Sequence, residues 1–91
     1  MVDAWWLYMI ECKGGGIYTG ITKDVQARYA KHAKGKGAKY TKMNPPVRLL
    51  CSVEYQNHRE AAEAEYAMKQ LKPPEKQRWA LAYGAELSTA S

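Results

Sequence analysis

Two apolar, aromatic-rich runs, Ala4 to Cys12 and Ile17 to Ile21, are separated only by Lys13-Gly14-Gly15-Gly16. Runs so rich in Trp, Tyr and Ile read as strands, and parallel pairing would need a crossover far longer than this link. The pair is therefore expected to form an antiparallel hairpin. The first run is apolar on both faces, as a buried central strand would be. A hairpin pairing about Lys13 would set Tyr8 across from Tyr18, with Cβ atoms about 5 Å apart, so that two phenols share one face.

Further along, Thr22 or Asp24 can cap a helix running to about Lys34, with Val25 and Tyr29 on an inward stripe. Arg28 and His32 repeat that spacing on the neighbouring stripe. Gly35-Lys36-Gly37-Ala38-Lys39-Tyr40-Thr41 is a glycine-interrupted basic stretch with room for one helical turn, and Asn44-Pro45-Pro46 ends it. Val47 to Tyr55 alternates, placing Val47, Leu49, Cys51, Val53 and Tyr55 on one face. Asn57 and Glu60 form a capping box before a helix whose Ala61, Ala64, Met68 and Leu71 share a stripe, and Pro73-Pro74 stop it. Glu75 to Ala82 suggests a last short helix, with a tail from about residue 85 expected to fray. The order β-β-α-turn-β-α-α predicts an α+β fold, a small three-stranded antiparallel sheet flanked by helices, in one domain over residues 1–91.

Positive charge is concentrated. Residues 23–48 carry Lys23, Arg28, Lys31, Lys34, Lys36, Lys39, Lys42 and Arg48 against Asp24 alone, a net charge of +7, whereas the whole chain carries +5. Such a patch suits a polyanion, most simply nucleic acid. The longest uncharged apolar run, Ala4 to Ile10, is too short to span a bilayer, and the N-terminus lacks a signal-peptide pattern, so the expected location is cytoplasmic. Cys12 and Cys51 read as two buried thiols rather than a bridge.

The residues with chemical potential are Tyr8 and Tyr18 on the hairpin, Arg28 and His32 one helical turn apart, and Glu65. On a helical wheel Glu63 lies opposite the apolar stripe, whereas Glu65 sits at its flank, where a carboxylate is partly buried beside the sheet. Taken one by one these residues read more simply as packing tyrosines, a surface histidine, a phosphate-positioning arginine and a structural glutamate.

Together they resemble a GIY-YIG nuclease domain of the short, single-domain bacterial YhbQ-like type. The resemblance rests on Trp6-Leu7-Tyr8, on Tyr18-Thr19-Gly20, on Asp24 followed by Arg28 and His32, on the Gly35 to Thr41 stretch, and on Ala64-Glu65-Tyr66 with Lys69 and Leu71 after it. It implies a divalent-metal-dependent phosphodiesterase. Carried over by position, Glu65 would hold Mg2+ or Mn2+, Tyr8 or Tyr18 would be the general base, Arg28 would bind the scissile phosphate, and His32 would bond the phosphate or the attacking water. A free phenol titrates near 10, so the base would need the help of Arg28 or the metal.

Two features qualify that expectation. Trp6 and Leu7 stand where many relatives have Gly and Ile, which leaves the Tyr8 hydroxyl in place. Ile21 stands where several relatives have a Lys or His that assists the base, so either His32 assumes that role, or the enzyme is slower, or the domain is a nucleic-acid binder that has lost efficient cleavage. Lys31, Lys34, Lys36, Lys39 and Lys42 would track phosphates, while Tyr40, and Tyr29 if exposed, would stack bases. Basic residues interleaved with aromatics favour single-stranded or branched DNA as the partner.

Overall fold

A computed structural model describes residues 4–90. Its elements are β1 (Trp5–Cys12), β2 (Ile17–Thr22), α1 (Val25–Ala33), α2 (Lys39–Met43), β3 (Pro46–Tyr55), α3 (His58–Lys69) and α4 (Pro73–Ala90). The strands form one antiparallel sheet in the order β2-β1-β3. β1, apolar on both faces, is the central strand, and Leu7, Met9 and Ile10 are fully buried.

The sheet divides the core into two parts. On one face Leu7, Met9 and Cys51 pack with Met68 of α3 and Ala80 of α4, joined by Ile17, Ile21, Leu50 and Trp79. On the other face Tyr8, Ile10 and Cys12 pack with Val25 and Tyr29 of α1 and with Tyr18 and Leu49. Cys12 and Cys51 are therefore buried thiols in different clusters, and both are free. Burial pushes both thiols above their ordinary value, Cys51 to about 11.

The hairpin forms, but in another register. Its ladder pairs Ile10 with Tyr18 and Tyr8 with Gly20, so the two tyrosines are diagonal neighbours on one face rather than direct partners. The reason lies in the turn: Gly14 and Gly15 both take positive φ, and the Cys12 amide donates to the Gly16 carbonyl at 2.8 Å, which centres the loop on Gly14 instead of Lys13. Diagonal side chains remain within reach of each other when they are aromatic.

β3 departs from strict alternation. Met9 pairs with Cys51 and Ile10 with Leu49, which leaves Leu50 as a bulge residue. Leu49 thus joins the α1 cluster, Leu50 and Cys51 face α3 and α4, and Val47 is exposed.

Asp24, not Thr22, caps α1, its Oδ1 accepting from the Ala27 amide at 3.0 Å. Thr22 supports the cap by accepting from the Asp24 amide at 3.1 Å. Asn57 caps α3 through the Glu60 amide, and the Glu60 carboxylate accepts from the Gln56 amide at 3.3 Å. Pro73 opens α4, consistent with the preference of proline for a first helical turn. That helix continues past Ala82 through most of the segment read as a tail, because Gly84 alone does not break a run of Ala, Leu and Glu. Ser91 lies outside the described residues.

Candidate active site

The α1 face of the hairpin gathers four rings. Tyr8 from β1 and His32 from α1 are both buried, and the Tyr8 hydroxyl lies 2.9 Å from His32 Nε2. Tyr18 packs against both, its ring centroid 6.2 Å from Tyr8 and 5.0 Å from His32. Tyr40 of α2 stacks on Tyr18 at 6.2 Å with an interplanar angle of 24° and is 41% exposed. A graded stack therefore leads from a solvent-exposed tyrosine to a buried phenol–imidazole pair.

Three glycines make room for these rings. A Cβ at Gly20 would meet the Tyr8 hydroxyl at 2.6 Å, one at Gly16 would collide with the Tyr40 hydroxyl, and one at Gly37 would collide with His32 Nδ1. Such approaches lie well inside ordinary contact, so Gly20 and Gly37, which face buried rings, are held to glycine by packing, whereas at Gly16 the exposed Tyr40 would have to swing away.

His32 is buried and is not the surface histidine of the simpler reading. Its Nδ1 lies 2.7 Å from Thr41 Oγ1, and the Thr41 hydroxyl donates to the Ala38 carbonyl at 2.9 Å. With Nε2 against Tyr8, both ring nitrogens are engaged by protein, which leaves neither directed at a phosphate or a water. Thr41, itself 1% exposed, is a site residue that sequence reasoning missed. A hydroxyl in a lysine-rich turn carries no periodic signal of burial.

The charges follow the expected pattern in part. Arg28 is exposed on α1, four residues before His32. Glu65 on α3 is half-buried, its side chain 24% exposed, and pairs with Lys69 at 3.4 Å. Glu63 is exposed and bound to Arg59, as its place opposite the apolar stripe required. Burial, followed by the neighbouring Tyr18, raises the Tyr8 phenol well above its ordinary value, with Arg28 lowering it and Glu65 raising it by smaller amounts. Arg28 and Glu65 are thus electrostatic neighbours of Tyr8, yet the net effect is opposite to the lowering a free tyrosinate base would need. Burial, then the Arg28 charge, lowers His32 below its ordinary value and keeps it neutral.

Ile21 faces away from the rings and packs against the α3 and α4 cluster. Its apolar character is explained by that core contact. Tyr29 is partly buried against the Tyr8 cluster, which takes much of its ring away from any base. Lys31, Lys34, Lys36, Lys39 and Lys42 are all exposed, on α1, on α2 and on the link between them. An open groove of about 560 Å³ lined by Ala4, Glu54, Tyr55, Gln56 and Asn57 involves none of the ring residues.

Among the described residues no group of three or more His, Cys, Asp or Glu could hold a metal ion. Those residues therefore offer no multi-ligand site of the zinc kind, but a lone half-buried carboxylate fits a hard cation that keeps most of its waters. Nor is any described helix long and apolar enough to cross a membrane.

Comparison with known proteins agrees with this arrangement. A UPF0213 protein of Cupriavidus pinatubonensis is 50% identical over 79% of this chain and 80% of its own length. A UPF0213 protein of Staphylococcus aureus is 44% identical over 75% of this chain and 83% of its own. The solution structure of a UPF0213 protein from Bacillus halodurans superposes with a TM-score of 0.58 at 41% identity, covering 89% of this chain and 86% of that one. Residues 4–78 match the model of the GIY-YIG catalytic domain, a span that contains every ring, the arginine and the glutamate just described, and the chain belongs to the GIY-YIG family.

Proposed function

We propose that the protein is a metal-dependent endonuclease that hydrolyses phosphodiester bonds, with single-stranded or branched DNA as its preferred substrate. The observation that carries this reading is the buried Tyr8–His32 pair, 2.9 Å apart, with Arg28 and Glu65 in its electrostatic field.

A tyrosinate is not required. As the Tyr8 oxygen takes a proton from the attacking water, the phenol proton passes to neutral His32 Nε2, so neither step creates an isolated buried anion. Arg28 binds the scissile phosphate and offsets the charge that grows on it. Glu65 would hold Mg2+ or Mn2+, whose chemistry is to stabilise the leaving oxygen. In free protein Lys69 neutralises that carboxylate. Because His32 is buried with both nitrogens engaged, it supplies the assistance that other family members obtain from a residue at the position of Ile21.

Exposed Tyr40 supports the substrate preference. A base laid on its free face would extend the stack begun by Tyr18, and stacking of this kind requires an unpaired base. The surrounding lysines hold the backbone whatever its sequence. A non-catalytic binding module would keep the lysines and Tyr40 but would have no use for a buried phenol–imidazole pair.

The test is cleavage of end-labelled single-stranded, flapped and fully duplex DNA of one sequence, each with magnesium, manganese or EDTA. Metal-dependent cutting, fastest on the unpaired substrates, is expected. Binding that survives EDTA with no cut under any metal condition would establish the binding module instead.

A further inference from the structure

The Gly35 to Thr41 segment, read from sequence as a phosphate-tracking stretch, has a second face. Its lysines point outward, whereas Gly37 and Thr41 close over the His32 ring. The hydrogen bonds around that ring bear on which nitrogen carries the proton. Thr41 Oγ1 has a single hydrogen, and with Thr41 1% exposed that hydrogen has no water to meet. Two acceptors are in its reach, Nδ1 at 2.7 Å and the Ala38 carbonyl at 2.9 Å, and the carbonyl offers the back-bond a threonine makes within its own helix. With the hydrogen on that back-bond the oxygen presents only lone pairs to Nδ1, and Nδ1 is then the donor. The competing donor is the Ala38 amide, whose nitrogen stands 3.4 Å from Nδ1, at the outer limit of a hydrogen bond.

We infer that Thr41 is a positioning residue that fixes His32 in the Nδ1–H tautomer and leaves Nε2 bare to receive the phenol proton of Tyr8. The purpose of this arrangement rests on the nuclease reading; the tautomer itself does not. The opposite tautomer would point Nε2–H at Tyr8 and block the relay, since the imidazole would already hold a proton where it must accept one. Thr41 does this without touching substrate, through one hydrogen bond, while Gly37 lets the segment approach closely enough to make it.

The experiment is nitrogen NMR of the His32 imidazole in free protein labelled with 15N, comparing wild type, Thr41→Ser and Thr41→Val, with cleavage of end-labelled single-stranded DNA in magnesium measured on the same samples. Wild type and Thr41→Ser are expected to show a protonated Nδ1 and a bare Nε2. In Thr41→Val, which keeps the shape and loses the hydroxyl, the Nε2–H form should appear. Cleavage by that variant should fall at least about tenfold with binding within about twofold, and serine should restore it. A bare Nδ1 in wild type overturns the inference, as does an unchanged tautomer in Thr41→Val. Equal cleavage by wild type and Thr41→Val overturns the positioning role. A wild type that shows the Nδ1–H form yet cuts no substrate upholds the tautomer and defeats the nuclease reading instead.

Discussion

The phenol of Tyr8 lies over its ladder partner Gly20, so closely that a Cβ on Gly20 would stand 2.6 Å from the hydroxyl and 2.8 Å from the ring carbon that bears it. Gly20→Ala must therefore push Tyr8 away from His32. With the surroundings this tightly filled, the variant should lose about 1–3 kcal/mol of stability, and cleavage should drop by about tenfold or more. Urea unfolding and a cleavage assay at a temperature where the variant is still folded separate the two effects. Full activity in a folded variant would show that the position of the Tyr8 hydroxyl is unimportant.

Tyr8→Phe removes the hydroxyl and leaves His32 Nε2 without its partner in a buried site. The expected outcome is a loss of about 1–3 kcal/mol in urea unfolding together with a fall in cleavage of about a hundredfold or more. Cleavage within a few-fold of wild type would transfer the base to Tyr18.

Stability should depend on pH through His32, whose burial and nearness to Arg28 place its folded value below the unfolded one. Above about pH 6.5 both states are neutral and this contribution is complete. As pH falls below that point the unfolded chain takes up a proton first, so stability is lost from about 6.5 downward until the folded value is passed. The check is the urea midpoint between pH 8 and pH 5 for wild type and His32→Gln. Wild type should decline more steeply, and parallel curves would mean that His32 titrates as it does in the unfolded chain.

Glu65→Gln should abolish metal-dependent cleavage and leave DNA affinity within a few-fold, because it removes the proposed cation ligand without touching the exposed lysines. Fluorescence anisotropy with labelled single-stranded DNA, beside the cleavage assay, reads both. A variant that cuts as fast as its parent would place the metal elsewhere.

Lys36→Ala combined with Lys39→Ala should weaken DNA binding and reduce the slope of log affinity against log salt, by about 1.4 for single strands if each lysine neutralises one phosphate. Unchanged affinity would put the nucleic acid on another face.

The pattern of elements was legible in the sequence because apolar periodicity, Asp24, Asn57 and the proline pairs mark it locally. What escaped depended on contacts between segments. The hairpin register turned on which glycine sits at the loop centre, a matter of backbone φ at Gly14 and Gly15. The bulge at Leu50 was hidden because an apolar residue there is compatible with either face. Tyr8, Tyr18, Arg28, His32 and Glu65 were singled out from the sequence, but the burial of His32 was not legible there. Its burial comes from α2 folding over it, and neither Thr41 nor Gly37 announces that in a basic stretch.

Tyr8 occupies the middle of β1, the strand hydrogen-bonded along both edges. Amide exchange from such a strand requires the whole sheet to open, whereas α2 is held by far fewer non-local contacts and can separate in a smaller event. On heating, the stacking platform at Tyr40 and the cover over His32 should thus be lost before the phenol leaves its place. On the proposed mechanism the base is built into the last part of the molecule to melt and its support into one of the first, so the upper temperature limit of activity should be set by α2 rather than by the sheet.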